Sequence, residues 1–224
     1  MGLLTRTDAT IDFAHKHVVS SDDGDLPLWL RIRLWIAMGQ DYGDESTLRR
    51  SCLALYSFQQ LLSRWDLAVL SAKYRHIPNL CRDAGQQYLR GVLSQNSIRS
   101  IIRDIGESFE DYESECSWAN HGDVNLAYQG GFYLLNRVVD RDDEWYLKDN
   151  LFDEAASDSE TLRPADFGLG DARKWDIHFV TSIVTANGAV WDEQSNNDKR
   201  RAFWLDWLAR IVPRFTGDLA SALD

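Results

Sequence analysis

DARKWDIHFVTSIVTANGAVWDEQSNNDKRRAFWLDWLARIVPRF, residues 171–215, reads as two aromatic helices joined by a short polar loop, and its reading decides the fold. In the first helix Trp175, Phe179, Val180, Ile183 and Val184 recur at the spacing of one buried stripe. In the second, Phe203, Trp204, Trp207, Leu208, Ile211, Val212 and Phe215 do the same. Each helix places one charge of opposite sign on its apolar side, Asp176 on the first and Arg201 at the edge of the second. A lone buried charge is costly, so the spacing predicts that Asp176 and Arg201 form a structural ion pair that sets helix register when the two helices pack antiparallel.

Working outward, helical patterns continue through the chain. A first short helix is expected over Ile11–Val19, before the loop Ser20-Ser21-Asp22-Asp23-Gly24-Asp25. Asp25 can cap a second helix with Pro27 in its first turn, running to about Met38 and hydrophobic nearly all round, as a central helix would be. Ser46 suits the N-cap of a third, to about Ser63, with Leu48, Cys52, Leu55, Tyr56 and Leu62 inward. Pro78 opens a helix to about Val92. From Ser97 to Cys116, Ile98, Ile101, Ile102, Ile105, Phe109 and Tyr112 make an inner stripe, with Asp104, Glu107, Asp111 and Glu115 roughly opposite. A further helix is expected from Asp123 to Val138, containing Gly130-Gly131. Residues 140–160, with nine acids and two bases, read as a long loop holding a short helix. Nothing alternates strongly enough to demand a sheet. The expected architecture is all-α: one multi-helix bundle over 1–224, with an acidic region at 104–160 ahead of the C-terminal helix pair 171–215.

The C-terminal signature carries a family resemblance. Trp175-Asp176-x-His178-Phe179, the loop from Asn187-Gly188 to Asn197, and Lys199-Arg200-Arg201-Ala202-Phe203-Trp204-Leu205-Asp206-Trp207-Leu208 resemble an all-helical immunity-protein family (immunity protein 5-like) of bacterial polymorphic toxin systems. Upstream, Leu48-Arg49-Arg50-Ser51-Cys52-Leu53-Ala54-Leu55 and Trp65-Asp66 are similar to its N-terminal helix. Leu208 stands where the family pattern usually has a second bulky aromatic. The resemblance implies a protein that binds and neutralises a cognate toxin, and it maps the family's characteristic aspartate and arginine onto Asp176 and Arg201.

Charge suggests the partner's chemistry. The net charge of −11 is regional: residues 1–103 carry +3, residues 104–160 carry −13 and residues 161–224 carry −1. An acidic field of that size repels nucleic acid and anionic membranes and attracts a basic protein. The expected partner is therefore a basic toxin domain such as a nuclease, contacted by Asp104, Glu107, Asp111 and Glu115 together with Asp140, Asp142, Asp143 and Glu144. A surface that merely confers solubility is the blander reading.

Catalytic patterns are weak. His15 and His17 share a face only in a strand, Asp140-Arg141-Asp142-Asp143 lacks the glycine-bearing loop of a calcium site, and there is no glycine-rich phosphate loop. His178, with Ser182 one turn on, reads as a surface histidine lacking an orienting third group. The expectation is no enzyme, no cofactor and no metal. Two competing readings are a helical metal-dependent hydrolase using the carboxylates of residues 140–154, and a nucleic-acid mimic that inhibits nucleases. Cys52, Cys81 and Cys116 are widely spaced and set among apolar positions, as in a reducing compartment. With no signal-peptide pattern, and its most apolar stretch, Leu26–Met38, interrupted by Arg31 and Arg33, the chain is expected to be cytoplasmic.

Overall fold

Local sequence signals set where each helix starts and stops. The computed structural model describes residues 3–38, 44–63, 73–115, 135, 177–188 and 193–216. All regular structure among these residues is helical, as the periodicity predicts. Helix α1 spans Leu3–Ser20 and starts earlier than its apolar pattern suggested. Helix α2 spans Leu28–Ala37; its first turn forms on the carbonyl of Pro27, which accepts from the N–H groups of Leu30 (3.0 Å) and Arg31 (3.2 Å). Asp25 does not cap it: its Oδ1 accepts from the indole Nε1 of Trp204 at 2.9 Å, a long-range partner that local reading could not weigh. Helix α3, Asp44–Ser63, takes Ser46 into its first turn.

Helix α4 spans Ile77–Leu89, with Pro78 in its first turn where a missing N–H is harmless. It ends in a Schellman turn. Gly91, at φ 71°, donates to Tyr88 O at 2.9 Å, and Val92 donates to Gln87 O at 2.8 Å. Helix α5 spans Gln95–Glu115 and begins two residues earlier than predicted because Ser94 Oγ accepts from the Ser97 N–H at 3.1 Å.

Helix α6, Ile177–Ala186, closes on a second Schellman turn. Asn187, at φ 59°, occupies the left-handed position, and Gly188 N donates to Ile183 O at 3.0 Å. The α6–α7 loop is tied at its neck, where Asn196 N donates to Ala186 O at 2.7 Å. Asn196 then caps helix α7, Asn197–Asp206, its Oδ1 accepting from Lys199 N at 2.9 Å. The helix runs on through a π-helical turn at Trp207–Ile211 into α8, Val212–Thr216, so the expected single helix contains one widened turn. Pro213 supplies a reason: it has no N–H, its ring crowds the carbonyl four residues earlier, and widening the preceding turn relieves that contact.

Two hydrophobic clusters share α3 as a wall. The first joins α1 (Ala14, Val18), the loop residue Leu26 and α2 (Leu30, Leu34, Trp35) to Cys52 and Leu53 of α3 and to Trp204, Trp207, Leu208, Val212 and Phe215. The second joins Leu55, Phe58 and Leu61 of α3 to Ile77 and Cys81 of α4, Ile98 and Ile105 of α5, and Leu135 and Ile177. Helices α6 and α7 pack together, as expected of the C-terminal pair, and α6 also packs on α3. Apart from Leu135, which is helical and buried, the expected helix at 123–138 lies outside the described residues, as do the acidic loop at 140–160 and residues 171–176.

Candidate functional site

The acidic face of α5 begins where its sequence pattern put it. Ile98 and Ile105 are buried in the second cluster, while Asp104 and Glu107, one turn apart, are exposed. Arg103 Nη2 lies 3.6 Å from Asp104 Oδ1, an exposed pair that contributes little to stability. Asp111 and Glu115 continue the same helix. The other proposed contact residues, Asp140, Asp142, Asp143 and Glu144, lie outside the described residues, as do all the carboxylates of 140–154.

The face of α7 that carries residues 197, 200, 201 and 204 grips the α1–α2 loop. Arg200 is wholly buried. Its Nη1 donates to Asp23 O and Asn197 Oδ1, both at 3.0 Å, and its Nη2 to Gly188 O at 3.0 Å and to Ser195 Oγ. One guanidinium thus binds both the α1–α2 loop and the α6–α7 loop. Arg201 Nη2 donates to Ser21 O at 2.8 Å and its Nε to Val18 O at 3.4 Å, a cation placed on the carbonyl end of α1, where the helix dipole favours it. Its Nη1 meets Asp198 at 3.0 Å. Asp176, its predicted partner, lies outside the described residues. Gly24 completes the fit at φ 67°, since an added Cβ would stand 2.7 Å from Asn197 O and 2.9 Å from Arg201 Cβ.

The two loop aspartates respond oppositely to this setting. Burial pushes the Asp25 carboxyl above its ordinary range, only partly countered by Arg31 and by the hydrogen bond from Trp204. Burial also raises Asp23, but hydrogen bonds from Ser21 and from Asp25 N–H (2.9 Å), together with the Arg200 cation, outweigh it and hold that carboxyl below the usual value. Arg31, buried beside them, sits 5.1 Å from the ring centre of Phe179 and 5.6 Å from that of Trp204.

His178 corrects the sequence reading. It is fully buried, with Nδ1 2.7 Å from Ser57 Oγ and its ring 5.1 Å from that of Trp207. Trp207 Nε1 donates to the same Ser57 oxygen at 3.2 Å. The reason is that α6 is covered on more than its apolar stripe: Thr181 and Ser182 are buried too, their hydroxyls turned back onto Ile177 O (2.7 Å) and Phe179 O (2.8 Å). The available signal was the absence of any Asp, Glu, Lys or Arg from Ile177 to Ala186. Because Ser57 and His178 are both sealed from solvent, no substrate can reach them, and their pairing is a polar contact in the packing of α3, α6 and the π turn.

No cluster of three or more His, Cys, Asp or Glu suited to a metal occurs among the described residues. His15 is exposed, whereas His17 sits edge-on to Trp29 at 5.8 Å. The groove between α6 and α7, about 510 Å³ and lined by Val184, Lys199, Phe203, Asp206 and Arg210 among others, includes one carboxylate, which pairs with Arg210. Cys52 and Cys81 are free and buried, and burial pushes the Cys52 thiol up to about 11. Among the described residues, no helix is long and apolar enough to cross a membrane.

No curated protein matches the chain. The family model described as immunity protein Imm5 matches residues 11–214, a span that contains the α1–α2 loop, the double-arginine helix that grips it and the two tryptophans behind it. The chain therefore belongs to the Imm5 immunity protein family.

Proposed function

We propose that this protein is a non-catalytic immunity protein that binds and neutralises a basic toxin domain, such as a nuclease, through the acidic face of α5 and the acids that follow it. The family match over residues 11–214 carries the immunity reading. The choice of a basic partner rests on the −13 charge of residues 104–160 and on the exposure of Asp104 and Glu107 opposite a buried isoleucine stripe. Carboxylates on a helix already anchored by its other face are held ready for a cationic surface, and their field speeds encounter more than it deepens affinity.

The test uses a cognate toxin domain, sought first in the reading frames beside this gene, inactivated for binding measurements and active for protection assays. The intact immunity protein should bind it and protect cells, with association slowing as salt shortens the screening length to about 8 Å at physiological strength. Changing Glu107 and Asp111 to lysine together should lower the association rate at least about tenfold while leaving the helical circular dichroism unchanged. Salt-independent association, or full protection by the doubly reversed protein, would place recognition elsewhere.

A further inference from the structure

Helix α5 is charged against its own dipole. Residues 95–103 of the helix carry two bases and no acid, and residues 104–115 carry six acids and no base. The negative end of a helix disfavours acids such as Glu113 and Glu115 in its last turn. An arginine four residues before an acid, as Arg103 stands before Glu107, is also the weaker order for a pair within one helix. Packing does not offset this: Ile98 and Ile105 hold the inner face in the second cluster, while Arg99, Arg103, Asp104 and Glu107 are exposed. Arg103 donates to Ser100 Oγ at 3.2 Å beside Asp104, yet the two charged side chains remain 69% and 66% exposed. A charge order that local energetics disfavour points to a contact outside the chain.

The order itself names the contact. Along one four-residue ridge α5 reads Arg99, Arg103, Glu107, Asp111, two cations followed by two anions over about 18 Å. The helix spans residues 95–115, so its midpoint is residue 105. A two-fold axis through that midpoint lays a second copy of α5 antiparallel on the first and brings Arg103 opposite Glu107 and Arg99 opposite Asp111, each pair twice. The other acids all fall opposite uncharged residues, Asp104 opposite Gly106 and Glu110 opposite Ser100 among them, so this register contains no like-charge contact. We infer that the outer face of α5 pairs two copies of this chain, antiparallel about residue 105, with these ion pairs fixing the register. A partner of any other sequence would have to present the same charge order, whereas a second copy has it by symmetry. Exposed ion pairs contribute little apiece, so the dimer is weak and sensitive to salt. The inference does not rest on the toxin reading; where both hold, Glu107 and Asp111 face either a second copy or the toxin, and the two complexes exclude each other.

The experiment is sedimentation velocity on the full chain alone, over a range of protein and salt concentrations. At about 20 mM salt the unmodified protein should show a monomer–dimer equilibrium, its dissociation constant rising at least about tenfold by about 300 mM as the screening length falls below about 8 Å. Arg103→Glu alone and Glu107→Arg alone each set like charges opposite one another at both symmetry-related contacts and should weaken the dimer at least about tenfold. Mixed in equal amounts, the two variants should associate at least about tenfold more tightly than either does by itself, because the cations of one then face the anions of the other. The double variant, which exchanges the two charges, should dimerise again, and it decides the matter if a single variant does not fold. A chain that stays monomeric at low salt up to about 200 µM would overturn the dimer and leave the face to a partner of another sequence. Single reversals that leave association unchanged, or mixed variants that associate no better than each alone, would overturn it as well.

Discussion

Replacing Arg200 with methionine keeps most of the aliphatic stem and deletes a fully buried guanidinium. Asp23 O, Gly188 O, Asn197 Oδ1 and Ser195 Oγ each lose a charged donor, and the loop aspartates lose a nearby cation. A hydrogen bond from a charged group contributes about 1.5–3 kcal/mol, and the four do not add, because Asn197 is exposed and recovers water. Stripping one side of a buried charged cluster costs about 3–5 kcal/mol, and that is the expected loss here. For a chain of this size it lowers Tm by on the order of 10 °C. Arg201→Met is the internal control. Its side chain is 27% exposed and that of its carboxylate partner Asp198 is 94% exposed, so water replaces much of what is lost and the cost is about 1 kcal/mol. Urea and thermal unfolding followed by tryptophan fluorescence and far-UV circular dichroism measure both. If Arg200→Met costs no more than Arg201→Met, the assignment of the buried arginine as the principal tie is wrong.

Gly24→Ala should destabilise by about 2 kcal/mol or more, since it meets both left-handed strain and the backbone of α7, whereas Gly91→Ala, at φ 71° in open space, should cost only the strain of about 1–2 kcal/mol; unfolding curves of the pair separate the two effects. Asp25 has a folded pKa above its ordinary value of 3.8, so its stabilising contribution is complete below 3.8 and is lost as pH rises through the folded value. On acidification from neutral pH toward 4, the native protein should therefore gain stability relative to Asp25→Asn, and urea midpoints that keep a constant difference would contradict the raised pKa. The Cys52 thiol, raised to about 11 and buried, should resist a thiol reagent at neutral pH until the protein is unfolded; stoichiometric labelling of the native protein would show otherwise.

The helices were legible because their periodicity is a local property. A stripe recurs every three or four residues whatever surrounds it, whereas the ends are less legible: α1 begins at Leu3 where the pattern predicts Ile11, and α5 at Gln95, capped by Ser94, where it predicts Ser97. The acidic face of α5 was legible for the same reason, since helical spacing alone separates Asp104 and Glu107 from Ile98 and Ile105. The role of the double arginine was not. Arg200 and Arg201 point about 100° apart on the helix, and a single apolar stripe does not say which neighbours cover its edges. Only the approach of a loop some 177 residues away made Arg200 the buried one and sent Arg201 to the end of α1. The burial of His178 likewise needed α3 and the π turn to close over α6 with Ser57 and Trp207, and the π turn itself followed from accommodating Pro213 in a helix that packing kept continuous. Periodicity sets which face of a helix avoids water, but how many elements cover that helix, and which polar groups they bring, is decided by contacts between residues far apart in the chain.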